Sequence, residues 1–259
     1  MDLGLTDKVA MVAAGTKGIG LAIANGLLAE GARVSVCSRS EASCQAAEAS
    51  FRGRGIATVA DVSSESDLDS WYCRTIETLG PPDILVTSTG GPPAGPWTGL
   101  SDDQWQAGFD STLMNVVRLT RLASQEMRDR NWGRIIHVTS LVAKEPAALL
   151  PISSTLRSGL MALCRLQATE LAPHGITVNA ILPGHTLTDR QTHLAEIRAA
   201  RDAITVEEAL ARQAAEVPVG RLADPAEIAD AAVFLASQRA SYITGVNLLV
   251  DGGLVKGFG

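Results

Sequence analysis

Tyrosine is nearly absent from this chain: 259 residues hold two, Tyr72 and Tyr242. Lysine is also scarce, at Lys8, Lys17, Lys144 and Lys256, and aromatics make up 4%. The four cysteines, Cys37, Cys44, Cys73 and Cys164, form no C-x-x-C pair. That spacing argues against a zinc site or a disulfide framework and suits a reducing cytoplasm. No apolar run reaches the ~18 residues of a membrane span, and the first residues lack a basic stretch followed by an apolar core. The net charge is −6 with no basic stripe, which speaks against nucleic acid as a partner. A hydrophobic fraction of 46% against 19% charged residues excludes a disordered chain.

What is present is alternation. Short aliphatic and β-branched runs at 9–14, 34–37, 57–60, 84–86, 135–138, 178–182 and 246–250 read as buried strands. Helical patterns over 18–30, 41–52, 64–79, 101–129, 151–173, 190–216 and 225–237 separate them. Ser101-Asp102-Asp103 and Asp224-Pro225-Ala226-Glu227 are good helix starts. The alternation predicts one α/β domain over 1–259, a Rossmann-type doubly wound parallel sheet with helices on both faces. The cluster Gly90-Gly91-Pro92-Pro93-Ala94-Gly95-Pro96 reads as a loop after the fourth strand. The charged, Ala-rich stretch 185–217 interrupts the alternation where ligands of such sheets bind, and is expected to form a helical substrate lid.

The first strand runs into Gly15-Thr16-Lys17-Gly18-Ile19-Gly20 and then a helix. Glycines there let backbone approach a pyrophosphate, and the helix N-terminus offers free N–H groups to it. The second strand ends Val36-Cys37-Ser38-Arg39, with no acid between Val34 and Ser40 to bind ribose hydroxyls. Arg39, with Lys17 as a second cation, favours the 2′-phosphate of NADP(H).

From the glycine-rich turn onward the chain resembles the classical short-chain dehydrogenase/reductase family over almost its whole length. Ala13-Ala14-Gly15-Thr16-Lys17-Gly18-Ile19-Gly20 stands for that family's T-G-x-x-x-G-x-G, with Ala13 and Ala14 replacing its threonine and first glycine. Asp61-Val62 matches the segment beside the adenine ring. Pro183-Gly184, with Thr186 and Thr188, matches the P-G-x-x-x-T segment at the nicotinamide end. Val178-Asn179 and Val250-Asp251-Gly252-Gly253 match further patterns. Of the family's N-N-A-G only Gly90 remains, in Thr87-Ser88-Thr89-Gly90.

The resemblance breaks at the chemistry. The family uses a serine, a Tyr-x-x-x-Lys pair and usually an asparagine. Ser140 holds the serine position, but Ser153 and Arg157 stand where tyrosine and lysine are expected, and Thr112 where the asparagine is. The residues four before the lysines are Gly4, Ala13, Ser140 and Gly252, so the chain contains no Tyr-x-x-x-Lys. A serine hydroxyl is a far weaker acid than a phenol, and Arg157 stays charged. It can stabilise an alkoxide or hold a ribose. His185, next to Pro183-Gly184, and Lys144 are weighed as substitute proton donors; His137 reads as structural, and His174 and His193 as surface or lining residues. The resemblance implies an NADP(H)-dependent reductase of a small-molecule carbonyl substrate, 3-oxoacyl- or ketone-like, with Ser140, Ser153 and Arg157 as a variant catalytic set and no metal. It also implies a homo-oligomer, tetramer or dimer. A non-redox lyase, isomerase or cyclase, or a silent NADP(H)-binding protein, remain the alternatives.

Overall fold

A computed structural model describes residues 2–257. Seven parallel strands form one sheet in the order β3-β2-β1-β4-β5-β6-β7. They are β1 Val9–Val12, β2 Arg33–Ser38, β3 Gly55–Val59, β4 Ile84–Thr87, β5 Gly133–Val138, β6 Ile176–Pro183 and β7 Asn247–Val250. Every residue of β1, β4, β5 and β6 is buried. Their side chains alternate between two cores. Ala10, Val12, Ile84, Val86, Ile136 and Val138 join one; Met11, Leu85 and Ile135 join the other. Period-two side chains buried on both faces explain why these strands read as continuous apolar runs.

Among the described residues there are nine α-helices. Helices α1 (Gly18–Ala29), α2 (Glu41–Ser50) and α9 (Pro225–Ala236) supply residues to the first core. Helices α3 (Glu65–Leu79), α5 (Asn115–Asp129) and α6 (Pro151–Leu171) supply the second. The remaining three are α4 (Asp102–Phe109), α7 (Asp189–Asp202) and α8 (Val206–Glu216).

Two expected helices are not regular. The stretch 101–129 runs through a π-helical turn, Asp110–Met114, between α4 and α5. The stretch 190–216 is two helices, because Ala203 takes a left-handed φ of 53° and ends α7. A Thr205–Glu208 capping box then starts α8. Helices α7 and α8 close a small core of their own around Ala195, Ala199 and Ala209.

The first strand is shorter than the apolar run, since Ala14 turns out of it with a left-handed φ of 49°. A Cβ there is strained. Ala14→Gly is therefore expected to raise the unfolding free energy by about 1 kcal/mol, read by urea denaturation. A decrease would mean that the alanine methyl is worth more in packing than the turn costs.

The strand order reverses between β1 and β4, the point at which open α/β sheets hold ligands beyond the strand carboxyl ends. The loops after β1, β4, β5 and β6 all leave the sheet on that side. Among the described residues no helix is long and apolar enough to cross a membrane. No group of His, Cys, Asp or Glu there is placed to hold a metal.

Candidate active site

The glycine-rich turn is tight. A Cβ on Gly15 would lie 2.7 Å from Val36 Cγ1, and one on Gly20 would lie 2.5 Å from the Ala14 carbonyl oxygen. Gly18 has a φ of +52° and lies against the Thr188 methyl. Thr16 is buried and Ile19 packs against the core. Helix α1 starts at Lys17 without a side-chain cap, whereas α2, α3, α4, α7, α8 and α9 each start with a Ser, Thr or Asp accepting a first-turn amide. The first amides of α1 thus have no side-chain acceptor, and helix N-termini of this kind suit an anion.

The other expected cofactor positions divide. Arg39 is exposed at the end of β2, with no carboxylate partner among the described residues. Lys17 is exposed in the turn, with its Nζ 3.9 Å from the equally exposed Asp189 of α7. The Asp61 carboxylate turns back to the Ser63 amide and hydroxyl at 2.9 and 2.7 Å, and Val62 packs beside the second core. Gly90 has open space where a Cβ would be. Pro183 ends β6, and Gly184 lies so close to Asp251 that a Cβ would be 2.6 Å from its Cα. The Thr186 hydroxyl donates to the Gly184 carbonyl at 3.1 Å, and Thr188 caps α7 through the Gln191 amide.

Ser140, Ser153 and Arg157 come together. Ser140 follows β5, and its Oγ accepts from the Val142 amide at 3.3 Å, which leaves its O–H free to donate. Ser153 and Arg157 lie one turn apart on α6, both buried. Arg157 Nε donates to Ser153 Oγ at 3.1 Å, and Nη1 donates to the carbonyls of Val138 and Thr139 at 3.1 and 2.7 Å. The guanidinium is clamped against the end of β5, directly before Ser140. Nη2 takes no hydrogen bond from the described residues. Burial, with the charge of Arg190 second, pulls Arg157 down to about 10. It therefore stays a cation at neutral pH, without a carboxylate beside it.

The substitute proton donors weighed from sequence fare differently. His185 Nε2 turns to Glu216 of α8 at 3.8 Å. Burial and Arg198 lower its pKa, so near neutrality the imidazole is uncharged and is a poor source of a proton. His137 is fully buried between Thr87 Oγ1 and Gln167 Oε1, both at 2.8 Å, and burial holds it at about 4; it is structural. Lys144 caps the short helical turn Leu141–Ala143 beyond Ser140. Thr112 sits in the π-helical turn, fully buried with no partner for its hydroxyl.

Two residues escaped the sequence. Asn115, one residue past the π turn, is fully buried with both amide atoms unpartnered. Arg190 on α7 reaches back to the β4 loop and donates from Nη2 to the Pro92 carbonyl at 2.7 Å. The nearness of Arg190 to Thr188 in the chain was a signal for the second; Asn115 had none.

Comparison with known proteins fits this frame. The family model described as enoyl-(acyl carrier protein) reductase matches residues 13–255. A putative ketoacyl reductase of Streptomyces coelicolor is 33% identical over 252 residues, 95% of this chain and 97% of its own. A 3-oxoacyl-[acyl-carrier-protein] reductase of Vibrio cholerae is 31% identical over 97% of this chain and 99% of its own. The structure of L-sorbose reductase from Gluconobacter frateurii, complexed with NADPH and L-sorbose, superposes with a TM-score of 0.94 at 33% identity, covering 100% of both chains. An actinorhodin polyketide ketoreductase variant with NADPH gives 0.93 at 32% identity, covering 96% of this chain and 98% of its own.

Proposed function

Because the chain belongs to the short-chain dehydrogenase/reductase family, we propose that it is an NADP(H)-dependent carbonyl reductase whose charge-stabilising centre is Arg157 with Ser140, in place of a tyrosine–lysine pair. The observation that carries this reading is the buried Arg157 guanidinium, clamped beside Ser140 with Nη2 free. Ketoacyl reductases and NADPH-bound reductases among the relatives support the reaction type and the cofactor.

The cofactor fits the residues present. The uncapped start of α1, with Gly15, Gly18 and Gly20, takes its diphosphate, and unpaired Arg39 takes the 2′-phosphate. Asp61-Val62, Gly90, Pro183-Gly184, Thr186 and Thr188 border its two rings. When bound, its nicotinamide supplies the hydride. Ser140 donates its free hydroxyl hydrogen to the substrate carbonyl. Arg157 Nη2 stabilises the negative charge that develops on that oxygen, and Ser153 holds the guanidinium in place. No tyrosine is present at this site to supply the proton. Helices α7 and α8, with their separate small core, form the lid of 185–217. Exposed Leu166 on α6 and Leu248 on β7 supply apolar surface for a dimer or tetramer.

The test is NADPH oxidation against a panel of ketones, 3-oxoacyl thioesters and quinones. Turnover of at least one carbonyl, with Arg39→Ala raising the NADPH Kd about tenfold and leaving the NADH Kd unchanged, is the expected result. Tight NADPH binding without oxidation by any of them would make the protein a silent binder. Conversion of a compound without any change in cofactor absorbance would make it a non-redox enzyme.

A further inference from the structure

Two guanidinium groups in this cleft have donors with nothing to donate to. Arg134 shows what a satisfied buried arginine looks like here. It lies at the opposite end of β5, its Nε and Nη1 donate to the carbonyls of Ser237, Gly133 and Gly175, its Nη2 reaches Gln238, and Trp132 covers its guanidinium at 4.5 Å. Arg157 leaves Nη2 unused, and half-buried Arg190 leaves Nε and Nη1 unused. Arg54, Arg118, Arg128, Arg130, Arg201 and Arg221 each pair with a carboxylate, but among the described residues neither Arg157 nor Arg190 does. Burial lowers the pKa of both, and the charge of Arg190 adds to the depression at Arg157.

Both side chains lie on the ligand side of the sheet. Arg190 donates to the Pro92 carbonyl, and its Nε and Nη2 lie 2.8 Å from where a Gly91 Cβ would stand, so the guanidinium packs directly over Gly91. A Cβ on Gly108 would touch both Pro92 Cβ, at 3.5 Å, and Ile152 Cγ2, at 2.5 Å. Ile152 immediately precedes Ser153. Arg190 therefore reaches the cleft from the lid side and Arg157 from the α6 side. The direction of Arg190 separates it from the diphosphate site. Its neighbour Asp189 faces Lys17 of the glycine-rich turn. Successive helical residues diverge by about 100°, which turns Arg190 away from that turn toward the β4 loop.

A half-buried guanidinium without a counter-ion is placed to hold an anion that enters beside it. We infer that Arg190 forms a carboxylate subsite on the lid side, leaving Arg157 Nη2 for the carbonyl oxygen, and that the substrate is an oxo acid held by its carboxylate with its carbonyl at Ser140. Guanidinium forks suit such bidentate recognition. The inference rests on the reductase reading above and narrows it to a substrate class.

The test is calorimetric, on the full chain. NADP+ is titrated first. The saturated protein is then titrated with 3-oxobutanoate, 4-oxopentanoate and benzoylformate, each beside its methyl ester. At least one acid is expected to bind tenfold or more tightly than its ester. That preference should fall below threefold in Arg190→Gln, with the NADP+ Kd within twofold of wild type. Acids and esters binding alike, or no acid binding saturably, overturns the inference while leaving the reductase reading intact. A large loss of NADP+ affinity in Arg190→Gln also overturns it, assigning Arg190 to the cofactor diphosphate. Failure of wild-type protein to bind NADP+ at the first step is a failure of the reductase reading instead.

Discussion

Replacing Arg157 by alanine is expected to cut NADPH-dependent carbonyl reduction at least about a hundredfold and to lower the unfolding free energy by about 3 kcal/mol. Both effects have one origin. Arg157 is 5% exposed, and its guanidinium donates to Val138, Thr139 and Ser153. Truncation leaves those three acceptors without their donor and opens a cavity between α6 and β5. It also removes the cation that lies on the carbonyls just before Ser140. Arg157→Met separates the two consequences, because it keeps most of the volume but none of the charge. Its stability loss should be smaller, about 1–2 kcal/mol, while its kcat/KM should fall as far as that of the alanine variant. Urea unfolding and steady-state kinetics on the same preparations decide the matter. An Arg157→Met enzyme within threefold of wild-type kcat/KM would remove Arg157 from the mechanism.

The double substitution Ser153→Tyr with Arg157→Lys is expected to raise kcat for ketone reduction about a hundredfold near pH 7. The two positions lie one helical turn apart on the face of α6 that meets the end of β5, and already touch through a hydrogen bond. A phenol there titrates near 10 when free, and an adjacent ammonium brings it toward neutrality. A positioned general acid of that kind is worth about 10²–10⁴ in rate. Ser153→Tyr alone keeps the arginine clamp on the β5 carbonyls and should gain less. The gain should also come with a new inflection in the pH profile between about 6 and 9, which improved packing alone would not produce. If the double variant folds and binds NADPH but is no faster, proton transfer does not limit the wild-type enzyme.

Much of the architecture was readable because its physics is local. Strands buried on both faces must be apolar at every position, so β1, β4, β5 and β6 stand out as runs. The glycine-rich turn and the capped helix starts carry their own residue signatures. Ser140, Ser153 and Arg157 were placed by the family resemblance; in the structure the last two share one face of α6 and a hydrogen bond.

What stayed hidden depends on residues distant in the chain or on backbone states without a residue signature. Ala203 breaks 190–216 in a left-handed conformation that alanine does not advertise. The π turn at Asp110–Met114 carries ordinary helix formers. Lys17 has Asp189 for a neighbour at 3.9 Å, more than 170 residues further on. Arg190 packs over Gly91 of a loop that precedes it by almost 100 residues. His185 looked like a spare acid beside Pro183-Gly184, but its ring faces Glu216 within a desolvated, cationic surrounding.

The most direct test of catalysis by a fixed cation is the pH profile of kcat for the wild-type enzyme with a ketone that does not itself titrate. Burial sets Arg157 at about 10, below the usual arginine range, so the charged form is complete at neutrality and is lost as pH rises through that value. The expected profile is flat from about pH 6 to 9 and falls only near 10. A break near neutrality would contradict the account, because it would reveal a titrating general acid at a site where Ser153 and Arg157 supply none.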